Sequence, residues 1–270
     1  MDVTFFYTTE KPETPDVSKS AVFKSAEWIK GSDHAYILRL YLRDKGYFYG
    51  YSVSWDNKGT ITFDFLQATD LTQNPEDQPL KGLTIMIDPG HGGKTGDKPY
   101  GTWTLDKNLY EKTMNLQYSM LLKEKLEAKG ATVLMIRTTD VSIDMQTRIA
   151  TLRKKKPDLF LSIHMNGHSS TTASGASVHY FNEYSYRAAD IIYDRIDTLE
   201  EKYKLGNRSN PVSWGTLYMT RTATECPTVL IECGFVTTKK DFEKLVTVSY
   251  REEFTTAVAN GVQDYFHSLP

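Results

Sequence analysis

Two cysteines in 270 residues are too few for a disulfide framework or a zinc knuckle, so Cys226 and Cys233 read as free thiols, Cys233 packed beside a site. No apolar run is long enough to span a bilayer. The start, Met1-Asp-Val-Thr, shows no basic segment followed by an apolar one, so no signal peptide is visible. That leaves two alternatives: a protein that stays inside the cell, or a mature region without its leader. A formal net charge of −2 provides no basic surplus, which excludes a nucleic-acid binder that works by neutralising phosphates. The dense basic run Arg153-Lys-Lys-Lys156 falls at the end of a helical pattern, where cations suit the negative end of the helix dipole. Internal repeats, low-complexity tracts and the compact His-Glu-x-x-His zinc motif are also missing. Nothing in the sequence speaks to oligomeric state.

What is present divides into two parts. Residues 35–67 alternate in the manner of a β-meander, with strands over 36–43, 47–55 and 60–66 separated by the turns Asp44-Lys-Gly46 and Asp56-Asn-Lys-Gly59. Val3 to Thr8 and Ala21 to Ile29 are candidates for two further strands. A polar stretch at about 71–80 with two prolines reads as a linker, so residues 1–80 form a small β-rich region of unassigned role and 81–270 a second domain. There strands alternate with helices, the pattern of a layered α/β domain. The expected strands are Leu83–Asp88, Thr132–Arg137, Asp158–His164, Ala176–Phe181, Leu217–Met219 and Thr228–Glu232. The expected helices are Leu109–Lys129, Asp144–Lys156, Tyr186–Tyr203, Lys239–Val246 and Arg251–Phe266.

Three of these strands end on a residue of catalytic type. Thr84-Ile-Met-Ile-Asp-Pro-Gly-His-Gly-Gly93 delivers His91, Leu159-Phe-Leu-Ser-Ile-His164 delivers His164, and Thr228-Val-Leu-Ile-Glu232 delivers Glu232. The glycines around His91 let the backbone approach something closely. His164 sits at the rim of its strand, with Asn166 and Gly167 beyond it. Glu111 has two readings. Asn108-x-x-Glu111 fits a capping box, whereas beside two histidines Glu111 is the carboxylate that a catalytic zinc takes. A carboxylate at the end of Thr-Val-Leu-Ile is costly to bury unpaired, so Glu232 is either salt-bridged, to Arg137 or Arg221, or a general base.

The order of these motifs resembles a known family. Asp88-Pro-Gly-His-Gly-Gly93, Glu111-Lys-Thr-Met-Asn-Leu116, Arg137-Thr-Thr-Asp140, Ser162-Ile-His-Met-Asn166 and Leu230-Ile-Glu-Cys-Gly-Phe235 are similar to the zinc-dependent N-acetylmuramoyl-L-alanine amidases of the amidase 3 type, over roughly residues 81–268. The resemblance implies a mixed central sheet flanked by helices. It implies one zinc ion per chain on His91, Glu111 and His164, with Glu232 as catalytic acid/base. It also implies hydrolysis of the amide between N-acetylmuramic acid and L-alanine, with peptidoglycan glycan strands and stem peptides as partners and a secreted autolysin's place in the cell wall or periplasm. Two rivals belong to other classes: a catalytically silent wall-binding or regulatory protein, and a zinc hydrolase of another amide, such as a deacetylase. The chain departs from the family pattern at Asp97, which follows the double glycine late, at Ala150-Thr151-Leu152 and at Thr237-Thr238. The span from His164 to Glu232 is filled by ordinary elements, so an open site is expected.

Overall fold

The computed structural model describes residues 1–270 apart from 33, 44–47, 96–97, 100, 207–208 and 270. The turn expected at Asp44-Lys-Gly46 and the residue Asp97 lie outside the described residues. The N-terminal region contains β1 (Asp2–Phe6), β2 (Phe23–Lys30) and β3 (Ala35–Leu42), followed by the hairpin β4 (Tyr51–Trp55) and β5 (Ile61–Phe65). The expected strands are therefore present, but their pairing is not that of a meander. β3 lies between β1 and β2, so both its edges are occupied, and β4 pairs with β5 alone. Aromatic contacts join the two pieces, with Phe23 edge-on to Phe65 at 4.7 Å and Phe5 to Phe63 at 6.2 Å.

The hairpin docks on the rest of the chain. The Tyr51 amide donates to the Thr224 carbonyl at 2.8 Å, and Phe48 packs edge-on against Tyr184. Residues 72–79 run as turns in which the Asn74 amide group donates to the carbonyls of Pro79 and Lys81.

Beyond them come β6 (Thr84–Pro89), the short pair β7 (Lys94–Thr95) and β8 (Lys98–Pro99), α1 (Glu111–Ala128), β9 (Thr132–Met135), α2 (Met145–Lys155) and β10 (Leu159–Asn166). The chain continues with β11 (Ser177–Tyr180), α3 (Glu183–Tyr203), β12 (Val212–Trp214), α4 (Tyr218–Thr222), β13 (Thr228–Phe235), α5 (Lys239–Leu245) and α6 (Val248–His267). Six strands form one mixed sheet in the order β12-β11-β13-β10-β6-β9, in which only the β11–β13 ladder is antiparallel. This is the mixed, helix-flanked sheet with a β-rich N-terminal region expected from the sequence.

One expected strand is corrected. Leu217–Met219 enters the helix α4 instead, and the Thr220 hydroxyl donates back to the Leu217 carbonyl at 3.1 Å. Three residues are too few to establish a period of two. The strand lies just before, at Val212–Trp214, where only three residues, Val-Ser-Trp, pair with β11 along the sheet edge, too few for their alternation to mark a strand.

The two faces of the sheet differ because side chains alternate along each strand. Ile85 and Ile87, Leu161 and Ile163, and Val229 and Ile231 pack with α1, α3 and α6 into the main core. The opposite face is covered by the shorter α2 and α4, where Met86 and Phe160 meet Ile149, Leu152 and Met219. Toward the C-terminal ends of β6, β10 and β13 this second face turns polar, at Asp88, Ser162, His164 and Glu232. The helices on that side are too short to close over these residues, and the site forms there.

Candidate metal centre

Ligand atoms of His91, Glu111 and His164 lie within 4.8 Å of one another. His91 Nε2 and His164 Nδ1 are each 3.0 Å from Oε1 of Glu111. The two imidazoles stand edge-to-face, with ring centroids 4.9 Å apart. The three residues thus come from the loop after β6, the first turn of α1 and the end of β10, segments separated widely in sequence.

Each is held by a specific arrangement. His91 adopts the left-handed backbone conformation at φ 59°. Two buried arginines fix the loop that carries it. Arg148, on the inward face of α2, donates to the carbonyls of His91 and Pro89 and pairs with Asp88, whose other oxygen accepts from Ser162 at 3.1 Å. Arg137 donates to the carbonyls of Pro89 and Gly90, both at 2.8 Å, and to that of Lys112. Asn115 donates to the Gly90 carbonyl from α1, and Asp140 accepts from the Gly93 amide. Arg137 therefore spends its donors on backbone carbonyls of this loop, of Lys112 and of Thr139.

Glu111 opens α1, and the cap at Tyr110 makes no side-chain hydrogen bond. Asn108 bonds to Asp106 instead, so the capping-box geometry does not form. The Glu111 carboxylate turns into the site, where Oε2 accepts from the Thr102 amide at 2.9 Å and Oε1 from the Met165 amide at 3.3 Å. Burial opposes its charge, but the hydrogen bonds from His164 and His91 prevail and hold Glu111 well below the usual carboxylate range. Burial likewise presses the His164 pKa down, and the bond to Glu111, with the charges of Glu232, Glu111 and Asp88, raises it above its ordinary value.

An ionised carboxylate with two imidazole nitrogens suits a divalent metal that keeps a fourth position open. His164 and His91 also reach a cavity of about 330 Å³ lined by Ser142, Met145, Gln146 and Met219. Glu232 pairs in register with His164 on the neighbouring parallel strand, so its side chain projects from the same face one strand away. Arg221, the other sequence candidate for pairing with Glu232, lies 5.8 Å from the Tyr218 ring centroid. His168 lies outside the cluster, with its Nδ1 accepting from the Ser170 amide. Both cysteines are buried and free, and Cys233 follows Glu232 on the core face.

Sequence reasoning missed the Asp88–Arg148 pair and the Thr102 amide. The first carried a signal, a lone carboxylate in an apolar strand and a lone guanidinium beside Ile149 on a buried helix face. The second carried none, because any residue but proline supplies an amide.

Gly90 has a stricter requirement. A Cβ there would stand 2.3 Å from Cε1 and Nε2 of His164, although its backbone lies outside the left-handed region. Gly90→Ala should therefore fold but displace the His164 ring. Isothermal titration with zinc should show an affinity lower by about 10–100-fold, the size of effect seen when a ligand's support is disturbed. Unchanged affinity would mean that the ring is not needed where it stands.

The N-acetylmuramoyl-L-alanine amidase family matches residues 85–264 of the chain. The N-acetylmuramoyl-L-alanine amidase LytC of Bacillus subtilis (strain 168) is 31% identical over 192 residues, which cover 70% of this chain and 36% of that protein. The probable cell wall amidase LytH of Staphylococcus epidermidis is 29% identical over 262 residues, covering 97% of this chain and 78% of that protein. The chain thus spans about a third of the length of the Bacillus relative and over three quarters of the staphylococcal one. Among solved structures, the N-acetylmuramoyl-L-alanine amidase from Clostridium difficile 630 superposes with a TM-score of 0.62 at 30% identity, covering 70% of this chain and 98% of that one.

Proposed function

The chain belongs to the N-acetylmuramoyl-L-alanine amidase family, and on that premise we propose that it hydrolyses the amide between N-acetylmuramic acid and the L-alanine of the stem peptide, as a zinc enzyme of the cell wall. The observation that carries this reading is the convergence of His91, Glu111 and His164 within 4.8 Å. These three residues would hold the zinc ion. Bound there, zinc would supply Lewis-acid chemistry, lowering the pKa of a water to about 7 and drawing electrons from the scissile carbonyl.

Glu232 takes the proton of the attacking water and returns it to the amide nitrogen as that nitrogen leaves with the stem peptide. A positioned base of this kind adds roughly 10²–10⁴-fold in rate. The segment Ser142–Gln146 and Met219 wall the cavity beside the histidines and present a surface to the stem peptide. We assign the catalytic role to residues 81–270, with residues 1–80 as a docked flank. A secreted location follows from the substrate, which lies outside the membrane.

The purified chain, refolded or expressed with zinc, should contain one zinc per molecule by metal analysis, and a chelator should abolish turnover. Mass spectrometry of digested peptidoglycan should find free stem peptides beginning with L-alanine and intact glycan strands. Sugars that have lost acetyl groups would favour a deacetylase instead, and unaltered peptidoglycan with bound protein would favour a silent binder.

A further inference from the structure

The loop that supplies the Thr102 amide to Glu111 is built inside out. Residues 102–110 fold back on themselves. The Glu111 amide donates to the Thr102 carbonyl at 2.9 Å, the Thr104 amide to the Leu109 carbonyl at 3.1 Å, and the Leu109 amide to Thr104 Oγ1 at 3.1 Å. The Leu105 amide donates to the Val236 carbonyl, just past the end of β13. Along the first arm the polar residues turn inward and the apolar ones outward. Thr102 packs against Gly167 and Thr104 is buried, whereas Trp103 is 49% and Leu105 46% exposed. Trp103 faces Tyr110 across an antiparallel bridge, with ring centroids 3.9 Å apart, so the indole rests on a second ring. Folding alone gains little from this arrangement, which buries hydroxyls and leaves a tryptophan half in water. An apolar patch held out on a fixed backbone marks a surface that binds something.

The patch adjoins the metal centre. The Thr102 amide lies 2.9 Å from Glu111 Oε2, and a Cβ added at Gly101 would stand 3.2 Å from Cδ2 of His91. Trp103 is the next residue along. The cavity beside the histidines is walled by α2 and α4 on one face of the sheet, whereas this loop leads into α1, which packs on the other. A substrate whose scissile bond sits at the histidines thus meets one surface on either side. We propose that Trp103, backed by Tyr110, is a glycan subsite: its indole stacks on a sugar ring of the strand whose amide is cut, while the cavity takes the stem peptide. The proposal rests on the reading of the chain as a muramoyl amidase. A β-linked pyranose with equatorial substituents presents C–H groups on its faces, and these suit the negative face of an aromatic ring. The indole is broad and already fixed by its backing ring, so little freedom is lost when the sugar settles on it.

The test uses the zinc-loaded full chain, with glycan chains freed of stem peptides as the probe and isothermal titration as the readout. Trp103→Leu, which keeps apolar bulk over Tyr110 but removes the ring, should weaken glycan binding by about 10-fold, the scale of losing an aromatic anchor. Trp103→Phe should recover most of that loss. Zinc content and the binding of free stem peptide should stay at parental values. With a soluble glycan that bears stem peptides, Trp103→Leu should raise KM and leave kcat near the parental value. Trp214, 59% exposed at the opposite end of the sheet, provides the control, and Trp214→Leu should change none of these. Should Trp103→Leu fail to fold, the indole N–H resonance of Trp103 in the parent chain should shift on adding glycan and stay in place on adding free stem peptide. Absence of glycan binding by the parent, unchanged binding by Trp103→Leu, an equal loss in Trp214→Leu, or a loss confined to the stem peptide overturns the proposal. A parent chain that leaves the wall amide uncut fails the underlying reading, and that result comes from its hydrolysis alone, apart from the titration.

Discussion

Glu232→Gln should reduce hydrolysis of peptidoglycan by at least about 10²-fold while the protein keeps its full complement of zinc. The amide has the size and shape of the carboxylate but cannot take a proton from water at neutral pH. Glu232 lies one strand from His164 in register, outside the group of three whose atoms converge. Its loss should therefore leave metal affinity intact. Release of stem peptides, followed by mass spectrometry, gives the rate, and metal analysis of the same sample gives the occupancy. Near-native turnover would make Glu232 a structural residue. Loss of zinc would make it a ligand and require the roles to be redrawn.

Glu111→Gln should lose both zinc and activity. In Glu111 the two oxygens do different work: Oε1 faces both histidines and Oε2 accepts the Thr102 amide. Glutamine has one acceptor for the two tasks. If its oxygen turns to the histidines, its NH₂ group confronts the Thr102 N–H, and the reverse placement offers the metal a donor. A buried donor left without an acceptor costs about 1–3 kcal/mol, so the variant should be folded but melt below the metal-free parent. Zinc affinity should fall by more than the about 10–100-fold that disturbing a ligand's support costs, because the charge itself is gone. Full occupancy and full activity would show Glu111 to be only the opening residue of α1.

Much of this site is legible in the sequence because strands deliver it. Alternation places Asp88, Ser162, His164 and Glu232 on one face, and the strand ends are marked by Pro89-Gly90, Asn166-Gly167 and Gly234. The two readings of Glu111 were less easily separated, since a helix start and a ligand ask for the same residue type. The structure departs from the capping box, with Asn108 bonded to Asp106 and the Glu111 carboxylate held between the Thr102 amide and the two histidines. The pairing of the N-terminal strands was not legible for another reason. Local pattern marks a strand but not its neighbour, and β3 takes partners from the chain before it rather than after it. The edge strand β12 and the short helix α4 are decided by contacts with β11 and β13, where a few residues carry too little pattern of their own.

The arginines that grip the His91 loop have a bearing on the life of the empty protein. Arg137 and Arg148 bind carbonyls of the loop, not the ion, so their grip does not depend on it. Stripping the metal therefore leaves the scaffold of the loop standing. On the zinc reading, loss and recovery of the ion should then be a reversible exchange at a waiting seat, with no refolding step between them, so scarcity of the ion would silence the protein without condemning it.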